Sequence, residues 1–206
     1  IEAKAYPMHE PFRDPSRAFT RIQRDFNKSI GYANEQLWRV EQKFIEQKPL
    51  ILTDKDGNVI AEIDTKKYVD GDYYIIVNQK SFGQVQIDLS VLLDLQEGAH
   101  FPWAIRYDDL EAFILTLKRM GKDWRYLKQF LLNREYLHGR VIASDELEIC
   151  GGYLTGDLTE EMLQGDDMIT CTPSLASVFD KQYRKGMGFK QEKYWAHKKS
   201  GDTLFF

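Results

Sequence analysis

The sequence predicts an α/β protein: a mixed β-sheet flanked by one long helix, followed by a mainly helical second half. Three observations lead there. An apolar stripe with steps of three or four residues runs unbroken through 16–47, the mark of a single amphipathic helix. Short apolar runs at 50–53, 59–63 and 73–77 have the length and β-branched content of strands. Beyond Gly98 the apolar residues return to helical spacing. The chain is accordingly divided into an α/β core over 1–98 and a mainly helical region over 99–206.

In chain order, Ile1-Glu2-Ala3-Lys4-Ala5-Tyr6 reads as an apolar strand. Glu2 and Lys4, two residues apart, should point to one face of it. Residues 7–15 form a Pro-rich turn; its His9 lies near the strand end and could approach a substrate phosphate, although a loop histidine is ordinarily just exposed.

The long helix buries a stripe of Phe19, Ile22, Phe26, Ile30, Ala33, Leu37, Val40 and Phe44. At about 1.5 Å per residue it would be about 45–50 Å long and span a domain. Asp14 is placed to cap it, Pro15 suits the first turn, and Pro49 ends the run. Its polar face carries Arg13, Arg17, Arg21, Arg24, Lys28, Arg39 and Lys43. A charge run is ordinarily a solvated face. Beside a strand ending in Lys4, this one is also placed to face phosphates.

Next, 50–53 and 59–63 flank Asp54-Lys55-Asp56-Gly57-Asn58, whose Asp-Gly signals a hairpin turn. The run 73–77 reads as a buried strand, with Phe82 to Leu89 following. In the second half, Leu110, Phe113, Ile114, Leu117 and Met120 define a helix ended by Gly121, with Asp108 as N-cap and Glu111 as its capping-box partner. A further helix covers 124–136. Asp145, Glu146 and Glu148 could hold a metal, but read better as the acidic start of a helix, ahead of a Gly151-Gly152 turn. A polar loop with a short helix inside it fills 155–173. The tail, from Lys181 to Lys199, interleaves aromatics and cations that can stack bases or dock the segment on the core, docking being the favoured reading.

Composition narrows the function classes. With 43% hydrophobic and 29% charged residues the chain is of ordinary globular make-up, and no stretch approaches the roughly 20 apolar residues of a membrane span. A formal charge of -4 argues against indiscriminate coating of nucleic acid, though a local basic face can still bind it. Two cysteines, Cys150 and Cys171, without CxxC spacing or a signal peptide, point to reduced thiols in the cytoplasm. There is no internal repeat, Walker loop, dinucleotide-binding glycine pattern or zinc-ligand spacing.

Ile1-Glu2-Ala3-Lys4-Ala5, Arg21-Ile22-Gln23-Arg24-Asp25-Phe26 and Ala33-Asn34-Glu35-Gln36-Leu37-Trp38-Arg39-Val40 together resemble the second half of a PD-(D/E)XK nuclease core. In that superfamily a strand presents Glu-x-Lys, and in one exonuclease-like branch the next helix brings a glutamine to the same site. The likeness extends through Phe82-Gly83, Asp88-Leu89, Pro102-Trp103, Asp108-Asp109-Leu110-Glu111, Tyr126-Leu127 with Arg134, and Asp145-Glu146-Leu147 before Gly151-Gly152-Tyr153-Leu154. That order is similar to poorly characterised bacterial proteins with such a domain.

The resemblance implies a partial restriction-endonuclease-like core and metal-dependent hydrolysis of DNA phosphodiester bonds, in bacterial defence or DNA processing. It implies that Glu2 and an aspartate from a preceding strand ligate Mg²⁺ (or Mn²⁺). Lys4 would then orient the attacking water or neutralise a phosphate oxygen, Gln36 would position Lys4 or the substrate, and Arg17, Arg21, Arg24 and Lys28 would face the DNA. Nothing precedes Ile1 in this sequence, so the aspartate is expected upstream in a longer polypeptide.

A rival constellation imitates the same order: Glu62-Ile63-Asp64, then a strand into Asn78-Gln79-Lys80. There a neutral amide stands where the acid should be, and it is the poorer ligand for a hard cation. If Asp64 and Lys80 formed the site, they should converge. Two other function classes stay open, a nuclease-like module that binds nucleic acid or a protein partner without cutting, and a structural module of a larger assembly docked through the long helix.

Overall fold

The computed structural model describes residues 1–4, 15–67 and 73–184. It is a mixed α/β structure whose described strands fall into three small sheets rather than one. The chain separates into two compact units: Ile1–Lys80 with Leu92–Ala104, and Ser81–Val91 with the chain from Ile105 onward.

In the first unit, β1 (Glu2–Lys4) begins the chain and is followed by α1 (Pro15–Phe26), a π-helical turn (Asn27–Gly31) and α2 (Tyr32–Ile45). The expected long helix thus exists, but it is not uniformly α. Pro15 occupies its first position, where the missing N–H costs nothing. At the other end Gln47 adopts φ 53°, and the Lys48 N–H reaches the Lys43 carbonyl at 2.8 Å, closing a Schellman-type cap ahead of Pro49.

The expectation of a stripe buried along its whole length is corrected. Phe26, Ile30 and Ala33 are fully buried, while Phe19 is 60% and Val40 39% exposed. The reason is length. A helix of about 45 Å outruns strands of three or four residues, which span only about 10–13 Å, so only its middle finds a sheet to cover.

The hairpin forms as expected from β2 (Leu50–Thr53) and β3 (Val59–Ile63), antiparallel. Its turn is held by Asp54, whose carboxylate accepts from the Asp56 and Asn58 N–H groups, and by Gly57 at φ 85°. It forms a separate sheet of its own. The buried strand lies slightly later than 73–77, as β4 (Ile75–Asn78), with all four residues buried. The strand order is β1-β4-β5, where β5 is Trp103–Arg106 and β1 runs parallel to β4.

The second unit contains α3 (Gln84–Ile87), α4 (Tyr107–Arg119), α5 (Trp124–Glu135), β6 (Val141–Ile142), α6 (Glu146–Thr155), α7 (Glu160–Gln164), β7 (Ile169–Thr170) and α8 (Ser177–Arg184). Its core is a chain of rings: Phe113 on Phe130 at 4.8 Å, Phe130 on Tyr153 at 5.2 Å, and Tyr153 on Tyr126 at 4.9 Å. Helix α4 ends as expected at Gly121, with the Lys122 N–H on the Leu117 carbonyl at 2.9 Å. Its start is corrected. The helix begins at Tyr107 after an extended Arg106, so Asp108 is not the cap. Asp109 reaches back instead to Arg106 through two 2.7 Å bonds.

Asp123 caps α5 and Asp145 caps α6, each accepting from backbone N–H groups. Of the acidic trio, Glu146 pairs with the buried Arg134 at 2.7 Å, and Glu148 accepts from Ser144. All three are structural, as the helix-start reading expected. Gly151 and Gly152 are not a turn but lie inside α6. A Cβ on Gly151 would stand 2.1 Å from the Leu175 carbonyl oxygen, so glycine here lets the 3-10 turn Pro173–Ala176 press against the helix backbone. The polar stretch 155–173 contains the expected short helix, and also β7, parallel to β6. The basic aromatic tail beyond Arg184 and the loop with Asp14 and His9 lie outside the described residues. Among the described residues no helix is long and apolar enough to cross a membrane.

Candidate functional site

Alternation along β1 sends the Glu2 and Lys4 side chains the same way. Lys4 Nζ stands 2.9 Å from Glu2 Oε1 and donates to Gln36 Oε1 at 2.5 Å. The structure therefore brings together the three residues named from the sequence. A fourth was missed: Lys4 Nζ lies 4.7 Å from the centre of the Tyr32 ring, within cation–π range. Tyr32 and Gln36 are four apart in the first turns of α2 and so share a face. That spacing was the sequence signal for Tyr32. Lys4 and Glu2 are partly covered, with side-chain exposures of 17% and 30%, which leaves the pair open to a ligand.

The rival constellation does not assemble. Asp64 accepts from the Lys66 N–H at 3.2 Å and pairs with Lys67 at 3.5 Å, while Lys80 is exposed. Asn78, however, sits opposite Lys4 in the parallel register of β1 and β4. It is buried and accepts from Ser29 Oγ at 3.5 Å. Asp25, Ser29 and Asn34 are also buried at 2% exposure or less, so the helix turns a polar patch inward around its π turn. The Asn34 Oδ1 there has no hydrogen-bond partner among the described residues. This patch escaped the sequence reading because the apolar stripe continues past it without a break.

The basic residues follow the helix surface. Arg17, Arg24 and Lys28 are exposed and Arg21 is half-buried; Arg24 Nε also contacts Asp25 Oδ1 at 3.4 Å. A concavity of about 620 Å³ opens there, lined by Thr20, Gln23, Arg24, Asn27, Lys28 and Tyr32. Glu35 also lines it and is 3.7 Å from Arg39. Tyr32 thus belongs both to the concavity and to the surroundings of Lys4.

As a metal site the trio offers one carboxylate, Glu2. Mg²⁺ takes an octahedral shell of oxygens, usually one or two carboxylates completed by water and substrate. Glu2 fits one vertex of such a shell; among the described residues no group of three or more His, Cys, Asp or Glu side chains could hold an ion. Comparison with protein-family models, with curated proteins and with solved structures gives no match for this chain.

Proposed function

We propose that the chain carries the acid-and-lysine part of a site that hydrolyses DNA phosphodiester bonds. The observation behind this reading is the convergence of Glu2, Lys4 and Gln36 at the end of a parallel strand. Bound Mg²⁺ or Mn²⁺ would supply charge stabilisation for the transition state, and Glu2 would be one of its ligands. Lys4, a compact cation with three N–H donors, would neutralise a phosphate oxygen or orient the attacking water. Gln36 accepts one of those donors and so fixes where the ammonium sits. Arg17, Arg21, Arg24 and Lys28 would hold the backbone phosphates of the DNA.

A second reading, a nuclease-like module that binds without cutting, draws on the same geometry. Lys4 is already engaged by a carboxylate, an amide oxygen and a ring, and among the described residues Glu2 is the acid paired with it.

Cleavage of linear DNA by the intact protein in Mg²⁺ separates the two. In the hydrolytic reading Lys4→Ala leaves folding nearly unchanged and lowers the rate by about 10²–10³, the loss typical of one charge-stabilising donor. Glu2→Gln does at least as much harm. Parental rates in both variants would refute the site; a parent that binds DNA with a steep salt dependence and never cuts it would favour the binding module.

A further inference from the structure

We propose that the concavity on α1 and α2 seats one nucleotide of a single-stranded DNA chain, with Tyr32 as the platform for its base. This deepens the phosphodiester reading and rests on it for the role of the neighbouring Lys4.

The argument starts from what one helix face places together. Thr20, Gln23, Arg24, Asn27 and Lys28 recur at three- and four-residue steps, so two cations, two amides and a hydroxyl point into one recess of about 620 Å³. Cations select a phosphate, amides offer both donors and acceptors to a base edge, and Glu35 at the side disfavours a second anion next to the first. What decides the ligand class is Tyr32. It is a large aromatic left 47% exposed at the edge of a polar recess. It is also held in place, since Lys4 lies over its ring and Lys4 is itself fixed by Glu2 and Gln36.

A fixed, exposed ring beside phosphate-binding cations is how proteins take the face of an unpaired base. In a duplex that face is already stacked on its neighbours, so the recess suits a single strand or a frayed end. The geometry also joins the recess to the trio. Lys4 takes one face of the Tyr32 ring, so a base would be seated on the opposite face, one ring's thickness from the trio, and the adjoining phosphate would come toward Lys4.

The test uses the intact protein with divalent metal chelated, so that binding is read without cleavage, and follows the anisotropy of a fluorescein-labelled oligothymidylate. Tyr32→Leu should weaken binding by about tenfold or more, the usual loss of one base-stacking platform. Tyr32→Phe, which keeps the ring, should bind as the parent does. Arg24→Ala and Lys28→Ala should each reduce the slope of log K against log salt by about 0.7. The proposal is overturned if Tyr32→Leu binds like the parent, or if a duplex of the same length competes as well as the single strand. Should Tyr32→Leu not fold, an unchanged salt slope in Arg24→Ala overturns it equally. A parent that never cuts DNA, combined with loss of binding in Tyr32→Leu, refutes the hydrolysis and leaves the nucleotide seat standing.

Discussion

Replacing Gly151 by Ala sets two effects of opposite sign against each other. Inside an α-helix Ala is favoured over Gly by about 1 kcal/mol, so local preference alone makes the variant more stable. The surroundings say otherwise. The new Cβ would lie 2.1 Å from the Leu175 carbonyl oxygen, 2.7 Å from its carbon and 3.3 Å from the Ala176 Cα. All three are backbone atoms, which cannot turn aside as a side chain does, so the 3-10 turn and α6 must separate by about 1 Å to reach ordinary contact. Overpacking of this kind costs about 1–3 kcal/mol, and more where no side chain can yield. With the propensity gain subtracted, we expect a net loss of about 2 kcal/mol, a fall in melting temperature of about 4–8 °C for a domain of this size. Gly152→Ala is the internal control: its nearest atoms belong to the Leu158 side chain, at 2.7 and 2.9 Å, and a rotamer change can make room. Urea unfolding followed by circular dichroism should therefore rank Gly151→Ala clearly below Gly152→Ala. Equal or higher stability for Gly151→Ala would show that the close approach is not what keeps glycine there.

Two further outcomes follow from buried charges in the same unit. Arg134 is fully buried, with Glu146 on one side and the Ile87 carbonyl on the other, so Arg134→Met should cost about 3–5 kcal/mol by stranding Glu146. The double variant with Glu146→Leu should recover much of that in denaturant melts, and an unchanged loss would show that the pair is not the cause. Burial pushes the Asp109 carboxyl up to about 6, against the two hydrogen bonds from Arg106 that pull it down. The folded protein then holds that proton more tightly than the unfolded chain, whose aspartate titrates near 4. Stability from this group is present below about pH 4 and is lost as pH rises to about 6, by at most about 3 kcal/mol. Asp109→Asn should remove that decline from a series of unfolding curves between pH 4 and 7; an unaltered decline would place its source elsewhere.

The helices were legible because their burial follows the apolar period: 107–119 and 124–135 match their stripes to within about two residues. The hairpin was legible because Asp54 and Gly57 determine their turn locally. What could not be read was set by partners distant in sequence. Gly151 and Gly152 looked like a turn because glycine is a poor helix former, and only the approach of Leu175 explains them inside a helix. The start of α4 is the local exception: Asp109, not Asp108, anchors it, because the half-buried Arg106 three residues earlier takes its carboxylate in place of the helix end. At the candidate site, the Glu2–Lys4 pair is a matter of strand alternation and was visible. The placement of Gln36 depended on a resemblance, and Tyr32 was marked only by its four-residue spacing from Gln36.

The π turn at Asn27–Gly31 has a consequence for how this unit can change. Such a turn is, in effect, an α-helix with one residue too many, and the surplus shifts the phase of everything after it by about 100°. Helices α1 and α2 therefore follow on without a gap but are indexed separately: Arg24, before the turn, belongs to one phase, and Tyr32 and Gln36, which meet Lys4, belong to the other. Substitutions at the exposed Asn27 and Lys28 leave that offset intact. Deleting either residue would not, because the helix would relax to a regular ladder and α2 could no longer meet the strand while α1 kept its present outlook. Chain length in these five residues, more than their identity, is what the arrangement depends on.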